Sequence, residues 1–257
     1  MTYWDERANI NAPANIVTLN DHNQRELELQ FISNWLKPTD FVIEAGCGNG
    51  YSTRTFSKLA KQVLAFDFSE AMIERAITEN KDLGNVVFTT GDVKDTKFES
   101  NVADVVITQR CLINLMTWKE QTEAIDEIKR ILSPGGLFVL VEGLDISELN
   151  KVRTQMGLPK ISVVPHNNNF DMRKIIGYIG KKFEIHQIKT FGMYDFITRV
   201  IHPLMVYPNE PTYDAKINEI AKRIELDLID NGMLLSGYCI SELSKLSRTI
   251  GIAAVKR

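Results

Sequence analysis

The sequence has little net charge and no long apolar run, and each absence excludes a class of protein. The sequence has 30 Lys and Arg and 33 Asp and Glu, which give a net charge of −3 at pH 7. No run of like charges is dense enough to bind a phosphate backbone. Nucleic acid is therefore not an expected partner. The longest apolar runs, such as Leu137 to Val141, fall far short of the roughly 20 residues that span a bilayer. We expect no membrane insertion.

Cysteine is also scarce, and the sequence lacks the common motifs of metal-dependent and covalent catalysis. Cys47, Cys111 and Cys239 are far apart and form neither a CxxC pair nor a Cys/His cluster with metal spacing. We interpret them as reduced thiols of a cytoplasmic protein without a metal site. The sequence also has no GxSxG or HExxH motif. Its 257 residues, 44% of them hydrophobic, are sufficient for a substantial core.

Apolar spacing alternates between strand and helix through the first half of the chain. Strands are predicted over 41–45, 63–66, 86–89, 105–108 and 137–141, and helices over 24–36, 52–60, 70–81 and 119–132. This alternation predicts an α/β fold with a Rossmann-like doubly wound sheet, mostly parallel and covered by helices on both faces. Its ligand site is expected beyond the carboxyl ends of the strands.

The alternation lapses after residue 142. Strand-like runs follow at 183–188 and 249–255, and the last strand is expected to be antiparallel. We interpret residues 143–182 and 191–246 as insertions that form an acceptor-site cap on a cofactor-binding core, 23–142. The chain, 1–257, is predicted to be one domain.

A glycine-rich turn follows the first strand, in the segment Glu44-Ala45-Gly46-Cys47-Gly48-Asn49-Gly50. Glycine at positions 46, 48 and 50 permits positive φ and leaves no Cβ to block a ligand against the backbone. The dinucleotide fingerprint GxGxxG would need glycine where Tyr51 stands, and no GK[ST] follows. A tight strand-to-helix turn without a ligand is the alternative interpretation.

Carboxylates follow the next two strands. Asp67 ends the second strand, where it could accept both hydroxyl protons of a ribose that lies on the glycine turn. Gly91-Asp92-Val93 follows the third strand, and the carboxylate of Asp92 could accept a hydrogen bond from an exocyclic amine. Either aspartate alone could instead cap a helix or form a turn.

Taken in order, these segments resemble class I S-adenosylmethionine-dependent methyltransferases. The glycine turn matches the family's first motif, Asp67 its ribose acid, Gly91-Asp92-Val93 its adenine segment, and Leu132-Ser133-Pro134-Gly135-Gly136 the turn before its fifth strand. The resemblance covers about residues 23–142 and implies S-adenosyl-L-methionine as the cofactor. The cofactor-binding residues it implies are Glu44, Gly46, Cys47, Gly48, Asp67, Phe68, Met72, Gly91, Asp92, Val93, Gln109 and Arg110. For Phe68 and Met72, ordinary packing at a helix start is the alternative.

The segment Gln109 to Leu115 follows the fourth strand, which in this family faces the methyl group. It lacks the Asn-Pro-Pro-Tyr type of sequence, which disfavours a DNA or release-factor substrate. Arg110 could pair with an anionic acceptor or with the cofactor carboxylate, or it could form a surface salt bridge. His166, in a polar stretch of the first insertion, is the candidate general base, and His202 is the reserve. A loop histidine that merely forms hydrogen bonds is the alternative for His166.

The N-terminal residues Tyr3 to Arg7 place two aromatics beside charges, as expected for a segment that folds over a bound cofactor. A loosely attached terminus is the alternative. In the second insertion, polar groups and aromatics suit a polar small-molecule acceptor: Tyr194, Phe196, His202, Tyr207, Pro208, Pro211 and Tyr213. Core packing is the alternative there.

The run from Arg110 to Leu132 and two later segments, Pro-His-Asn and Arg-Val-Ile-His-Pro-Leu, are similar to methyltransferases of bacterial polysaccharide gene clusters. The predicted function is therefore methyl transfer to a polar small molecule, such as a sugar or saccharide-linked hydroxyl. A non-catalytic sensor or partner subunit that binds S-adenosylmethionine is the alternative. The missing GxGxxG argues against a nicotinamide oxidoreductase. The acceptor, the methylated atom and the oligomeric state stay open.

Overall fold

A sheet of seven strands organises the chain, for which a computed structural model describes residues 3–230 and 242–257. The strands are β1 (Phe41–Ala45), β2 (Gln62–Asp67), β3 (Val86–Thr90), β4 (Ala103–Gln109), β5 (Leu132–Gly143), β6 (Phe183–Thr190) and β7 (Thr249–Lys256). Their order across the sheet is β3-β2-β1-β4-β5-β7-β6. Neighbours from β3 to β5 run parallel, whereas β7 runs antiparallel to both β5 and β6. The predicted Rossmann-like sheet with an antiparallel last strand is confirmed.

The topological switch of the sheet lies between β1 and β4. After β1 the chain builds outward through β2 and β3, and it then returns to pair β4 with the other side of β1. Connections that leave in opposite directions open a crevice at the carboxyl ends of these two strands. The glycine turn after β1 and the segment after β4 are therefore placed at one edge of the sheet.

Helices cover both faces of the sheet, as predicted. Within the described residues they are α1 (Tyr3–Ala8), α2 (Ala14–Val17), α3 (His22–Ser33), α4 (Thr53–Phe56), α5 (Glu70–Glu79), α6 (Trp118–Ile131), α7 (Ser147–Gln155), α8 (Met172–Lys182), α9 (Gly192–Phe196), α10 (His202–Val206) and α11 (Lys216–Asp230). A π-helical turn, Ile197–Ile201, joins α9 to α10. No helix of residues 3–230 and 242–257 is both long and apolar enough to cross a membrane.

Separate apolar clusters form the core on the two faces. One face packs α3, α4, α5 and α11 against the sheet, with Phe31 and Phe56 among the buried side chains. The other face packs α6 and α8, with Ile125 and Ile175 among theirs. Side-chain caps fix where these helices begin: Asp21 for α3, Ser69 for α5, and a reciprocal capping box of Thr117 with Glu120 for α6.

The helix predicted over 52–60 is shorter in the structure than predicted. Only Thr53–Phe56 is α-helical, because the amide N–H groups of Lys58 and Leu59 donate to carbonyls three residues back and tighten the end into turns. The predicted helix 24–36 likewise begins and ends earlier, as α3. The other predicted strands and helices of residues 41–142 are present within two residues of their predicted bounds, except β5, which begins at Leu132, inside the predicted turn 132–136.

The second insertion packs behind the sheet crevice, on the outer side of α3. Asp21, the N-terminal cap of α3, accepts a hydrogen bond from the buried hydroxyl of Tyr194 (2.7 Å). It also forms an ion pair with Arg199. Lys222 of α11 pairs with Glu26 on α3. The insertion therefore supports the helix whose other side faces the crevice.

Candidate functional site

A cavity of about 470 Å³ opens at the carboxyl ends of the strands, beside the topological switch. It brings together every residue that the sequence predicts for cofactor binding, together with the predicted base His166. These lining residues are Glu44, Gly46, Cys47, Gly48, Asp67, Phe68, Met72, Gly91, Asp92, Val93, Gln109, Arg110 and His166. Their contacts with a cofactor remain predictions.

The glycine turn forms the floor of the cavity. The N–H groups of Gly46 and Cys47 both donate to the carbonyl of Phe66, at 2.8 and 3.0 Å, which folds the turn back over β2. Gly46 has φ of 76°, and a Cβ there would lie 2.5 Å from Sγ of Cys111. Glycine is therefore required both by the backbone conformation and by the close approach of the segment after β4.

Carboxylates stand at the ends of β1 and β2. Glu44 is buried and accepts a hydrogen bond from the Thr53 hydroxyl at 2.6 Å; burial raises the pKa of Glu44 to about 8. Asp67 accepts the N–H of Gly48 on one oxygen (2.8 Å) and that of Ser69 on the other (3.0 Å). The Phe68 N–H also acts on this carboxylate, and because a carboxylate has about four acceptor positions, Asp67 keeps capacity for a ligand hydroxyl. Burial raises the pKa of Asp67, an effect that these backbone donors oppose.

The segment after β3 has a partly structural role. Oδ1 of Asp92 accepts a hydrogen bond from the N–H of Lys94 at 2.8 Å, which is the turn-forming alternative that the sequence left open.

Phe68 and Met72, which follow β2, differ sharply in exposure. Phe68 lines the cavity and is 73% exposed, whereas Met72 is fully buried beside Trp4 and Val17. A ligand in the cavity could cover the exposed Phe68 ring.

Arg110 is held by a buried partner that the sequence analysis missed. Its Nη2 lies 2.5 Å from Oε1 of Glu28, whose side chain is fully buried on α3. Glu28 also accepts hydrogen bonds from Gln24 (3.2 Å) and Gln109 (2.8 Å). Arg110 therefore forms the salt bridge named as its alternative, although a buried one, and its charge is already paired.

The turn after Arg110 is fixed by a second buried carboxylate. Glu142, at the end of β5, accepts the backbone N–H groups of Cys111 (3.1 Å), Leu112 (2.9 Å) and Ile113 (3.3 Å). Burial raises the pKa of Glu142 to about 7. Glu142 does not line the cavity, so it acts on the site through the position of this turn.

Arg25 on α3 is a further lining residue that sequence reasoning missed. Its guanidinium is 4% exposed and donates to the Thr18 hydroxyl (3.1 Å) and the Leu19 carbonyl (2.9 Å). Its Nε is buried without an acceptor among the described residues, its guanidinium carbon lies 4.7 Å from the centroid of the Tyr51 ring, and the charge of Glu28 also acts on it. Burial lowers the pKa of Arg25 to about 10, so the group stays cationic at neutral pH. The signal in the sequence was a polar stripe on α3, Gln24, Arg25 and Glu28, beside the apolar face.

The N-terminal helix closes one side of the cavity. Tyr3 and Trp4 both line it, and Nε1 of Trp4 donates to Oδ1 of Asn114 at 3.2 Å. His166 reaches the same wall, with its ring centroid 3.9 Å from that of Tyr3 and nearly parallel to it. Burial lowers the pKa of His166, which favours the neutral imidazole at pH 7. The N-terminal segment thus lies over the cavity, as the sequence suggested.

The structure does not bring His202 to the cavity. His202 is 4% exposed on α10, where its Nδ1 lies 3.1 Å from Oδ1 of Asn218. No described residue of the second insertion lines the cavity, and from the first insertion His166 alone does so. The predicted acceptor wall over 143–182 and 191–246 therefore reduces, within the described part, to the loop around His166; residues 231–241 of that prediction lie outside the described residues.

No cluster of metal-binding type is present among residues 3–230 and 242–257, where no group of His, Cys, Asp and Glu side chains could hold a metal ion. Cys47 and Cys111 are free thiols whose pKa values are raised by burial. Cys239 lies outside the described residues.

Comparison with known proteins identifies the segment that builds this cavity. Residues 42–136 match the family model of a methyltransferase domain. Phosphoethanolamine N-methyltransferase 1 of Caenorhabditis elegans is 30% identical over 146 residues, which are 55% of this chain and 30% of that protein. Demethylmenaquinone methyltransferase of Staphylococcus saprophyticus is 28% identical over 131 residues, 50% of this chain and 54% of that protein. The chain thus spans about a third to a half of the length of these curated relatives.

The fold extends the likeness to the whole chain. The N-methyltransferase NodS from Bradyrhizobium japonicum, solved with S-adenosylhomocysteine, superposes with a TM-score of 0.57 and covers 98% of this chain and 96% of its own. At 12% identity this likeness concerns the fold alone. Residues 42–136 therefore match a methyltransferase domain, and over the rest of the chain the likeness to solved methyltransferases is one of fold.

Proposed function

We propose that this protein binds S-adenosylmethionine in the cavity and catalyses transfer of its methyl group to a hydroxyl of a small polar molecule. The observation that carries the proposal is the convergence of the glycine turn, Asp67, Arg25 and His166 on one cavity. These groups match the chemical parts of the cofactor and of the reaction.

The cavity residues fit the cofactor. An aminocarboxylate end needs a cation, and Arg25 is a buried guanidinium whose Nε has no acceptor in the described structure. A ribose needs acceptors for its hydroxyls, which the remaining acceptor capacity of Asp67 supplies. A volume of about 470 Å³ falls within the usual range for sites of molecules of this size.

Cofactor chemistry leaves a limited task for the protein. When bound, S-adenosylmethionine supplies a methyl group that is electrophilic without further activation. The chain must orient the acceptor, exclude water and, for a hydroxyl, remove a proton. We propose His166 for the last task, because its lowered pKa keeps the imidazole neutral and able to accept a proton at pH 7. His202 is less suited, since it lies outside the cavity.

A small acceptor is supported by the size of the cavity, about 470 Å³. Tyr3 and Trp4 line it together with His166, so an acceptor that reaches the imidazole lies beside the N-terminal helix. The net charge of −3 gives no support for a nucleic acid acceptor. A cytoplasmic location is part of the proposal and is supported by the free thiols of Cys47 and Cys111.

A sugar or saccharide-linked hydroxyl is the acceptor we favour. This preference rests on the resemblance inferred from the sequence of residues 110–132 and two later segments, and the relatives named above do not add to it. The names of the relatives point to different acceptors, phosphoethanolamine for one and demethylmenaquinone for another. Because this fold serves many acceptors, those names do not transfer to this chain.

The test is release of S-adenosylhomocysteine from S-adenosylmethionine in the presence of panels of free sugars, nucleotide-linked sugars and, for contrast, small amines. We expect turnover with a hydroxyl acceptor, and a loss of about 10²–10⁴-fold in His166→Asn, the range for removal of a general base. The affinity for S-adenosylhomocysteine should stay within about threefold, since His166 acts on the acceptor side.

His186→Asn is the matched control, because that histidine is exposed on β6 and does not line the cavity. Turnover of amines alone, or full turnover of a hydroxyl acceptor by His166→Asn, would contradict the proposed acceptor chemistry. Cofactor binding without turnover of any acceptor would favour the sensor or partner-subunit function.

A further inference from the structure

His166 stands in an aromatic cluster that joins two separate segments of the chain. Its ring stacks on Tyr3 at 3.9 Å with an interplanar angle of 28°, and it meets Trp4 edge-on at 5.6 Å and 76°. Tyr3 and Trp4 also contact each other edge-on at 5.0 Å. Tyr3 and Trp4 belong to α1, whereas His166 belongs to the loop between α7 and α8. We call these three rings the aromatic cluster.

The imidazole of His166 has no hydrogen-bond partner among the described residues, which is unusual for a proton acceptor. A catalytic histidine is commonly oriented by a group that binds its second ring nitrogen. Here the ring contacts of α1 take that place. We propose that Tyr3 and Trp4 are positioning residues for His166, so that the base is in place only when α1 lies over the cavity. This inference rests on the proposed function of His166.

The neighbouring backbone is anchored independently of these rings. Arg75 on α5 donates to the carbonyls of Ala8 (2.8 Å), Ile10 (2.9 Å) and Ala12 (2.6 Å), and Arg7 donates to the carbonyl of Val17 at 2.9 Å. Removing the Tyr3 ring therefore leaves α1 attached to the domain. A substitution of Tyr3 can therefore change the environment of His166 while α1 stays attached to the domain.

Trp4 also connects the cluster to the floor of the cavity. Its indole donates to Asn114, and Nδ2 of Asn114 donates to the carbonyls of Arg110 (2.8 Å) and Cys111 (3.1 Å). Cys111 is the residue against which Gly46 packs. The position of α1 is thus linked, contact by contact, to the glycine turn that we propose to hold the cofactor.

The environment of His166 provides a measurable signature of this arrangement. Burial alone lowers the pKa of His166 below its ordinary value near 6.5. Tyr3 is the titratable side chain in ring contact with it. Several charged side chains line the same cavity but contribute nothing resolved to the shift: Arg25, Glu44, Asp67, Asp92, Lys94, Arg110 and Glu120. Exposing the ring should therefore return its pKa toward 6.5.

The experiment is an NMR titration of the imidazole Cε1–H signals of the full chain, with and without saturating S-adenosylhomocysteine. The signal of His166 is assigned by its disappearance in His166→Asn. We expect His166 to titrate below 6.5 in the wild type and in Tyr3→Phe, which keeps the stacked ring. In Tyr3→Ala and Trp4→Ala the midpoint of the ligand-free protein should rise toward 6.5.

Distinct outcomes separate this inference from the proposed function. An unchanged His166 midpoint in folded Tyr3→Ala and Trp4→Ala proteins would overturn the positioning role, whether or not the cofactor binds. An equal rise in Tyr3→Phe would also overturn it, because the phenolic hydroxyl and not the stacked ring would then be responsible. Absence of S-adenosylhomocysteine binding in the wild type would contradict the proposed function but would leave the ligand-free titration as a valid test.

Discussion

Replacing Asp67 tests the proposed cofactor site most sharply among single substitutions. The carboxylate already accepts backbone N–H groups from Gly48 and Ser69, and Asp67 lines the cavity. Asp67→Ala removes the hydrogen bonds to the backbone and those proposed to the ribose. Asp67→Asn keeps the shape but replaces an acceptor oxygen by a donor, so it should lie between the wild type and Asp67→Ala.

The magnitude follows from the hydrogen bonds that a ribose would make. Two bonds to a charged group, at about 1.5–3 kcal/mol each and with allowance for non-additivity, give a loss of about 2–4 kcal/mol in binding free energy. That loss corresponds to a Kd for S-adenosylhomocysteine about 30–700-fold higher. Loss of the partner for the Gly48 N–H should also lower the free energy of unfolding, by about 1–3 kcal/mol.

The assay is titration calorimetry with S-adenosylhomocysteine on proteins shown to be folded by circular dichroism melts. Asp214→Asn is the matched control, since Asp214 is exposed and does not line the cavity. A Kd for folded Asp67→Ala within threefold of the wild type would refute the assignment of Asp67 to the ribose.

Further substitutions test other parts of the site. Arg25→Gln removes the buried cation, so we expect the Kd for S-adenosylhomocysteine to rise at least about tenfold by calorimetry; a change below twofold would contradict the role of Arg25. Gly46→Ala places a Cβ 2.5 Å from Cys111 Sγ at φ of 76°, so the Tm should fall and binding should be lost; a wild-type Tm would show that the turn relaxes freely. Glu44, with its pKa raised from 4.5 to about 8, holds a proton in the folded state that the unfolded chain releases, so its contribution to stability falls as pH rises through that window. Glu44→Gln should therefore flatten the pH dependence of urea-derived unfolding free energies between pH 5 and 8, and an unchanged slope would contradict the raised pKa.

The sequence predicted the parts of the molecule whose signals are local. The strands beside the switch point are short apolar runs followed at once by glycines or carboxylates, so both β1 and its turn could be located from adjacent residues. The cavity residues Asp67 and Asp92 followed from the same rule, because the ends of parallel strands meet at one edge.

Long-range pairs could not be predicted in this way. Glu28 and Arg110 are separated by 82 positions, and nothing near either residue indicates the other. His202 was the reserve candidate for the base, yet it lies on α10, with Pro203 in the first turn of that helix, and is buried against Asn218. The second insertion was expected at the acceptor site because of its aromatics. The buried hydroxyl of Tyr194 instead binds the cap residue Asp21, a tertiary contact that composition does not reveal.

The most direct test of the central claim is titration calorimetry of the full chain with S-adenosylhomocysteine in a buffer that contains a metal chelator. We predict saturable binding at about one ligand per chain with a Kd in the micromolar range or below, unaffected by the chelator. No heat at high micromolar ligand, from protein shown to be folded by its circular dichroism melt, would contradict the assignment of the cavity to S-adenosylmethionine.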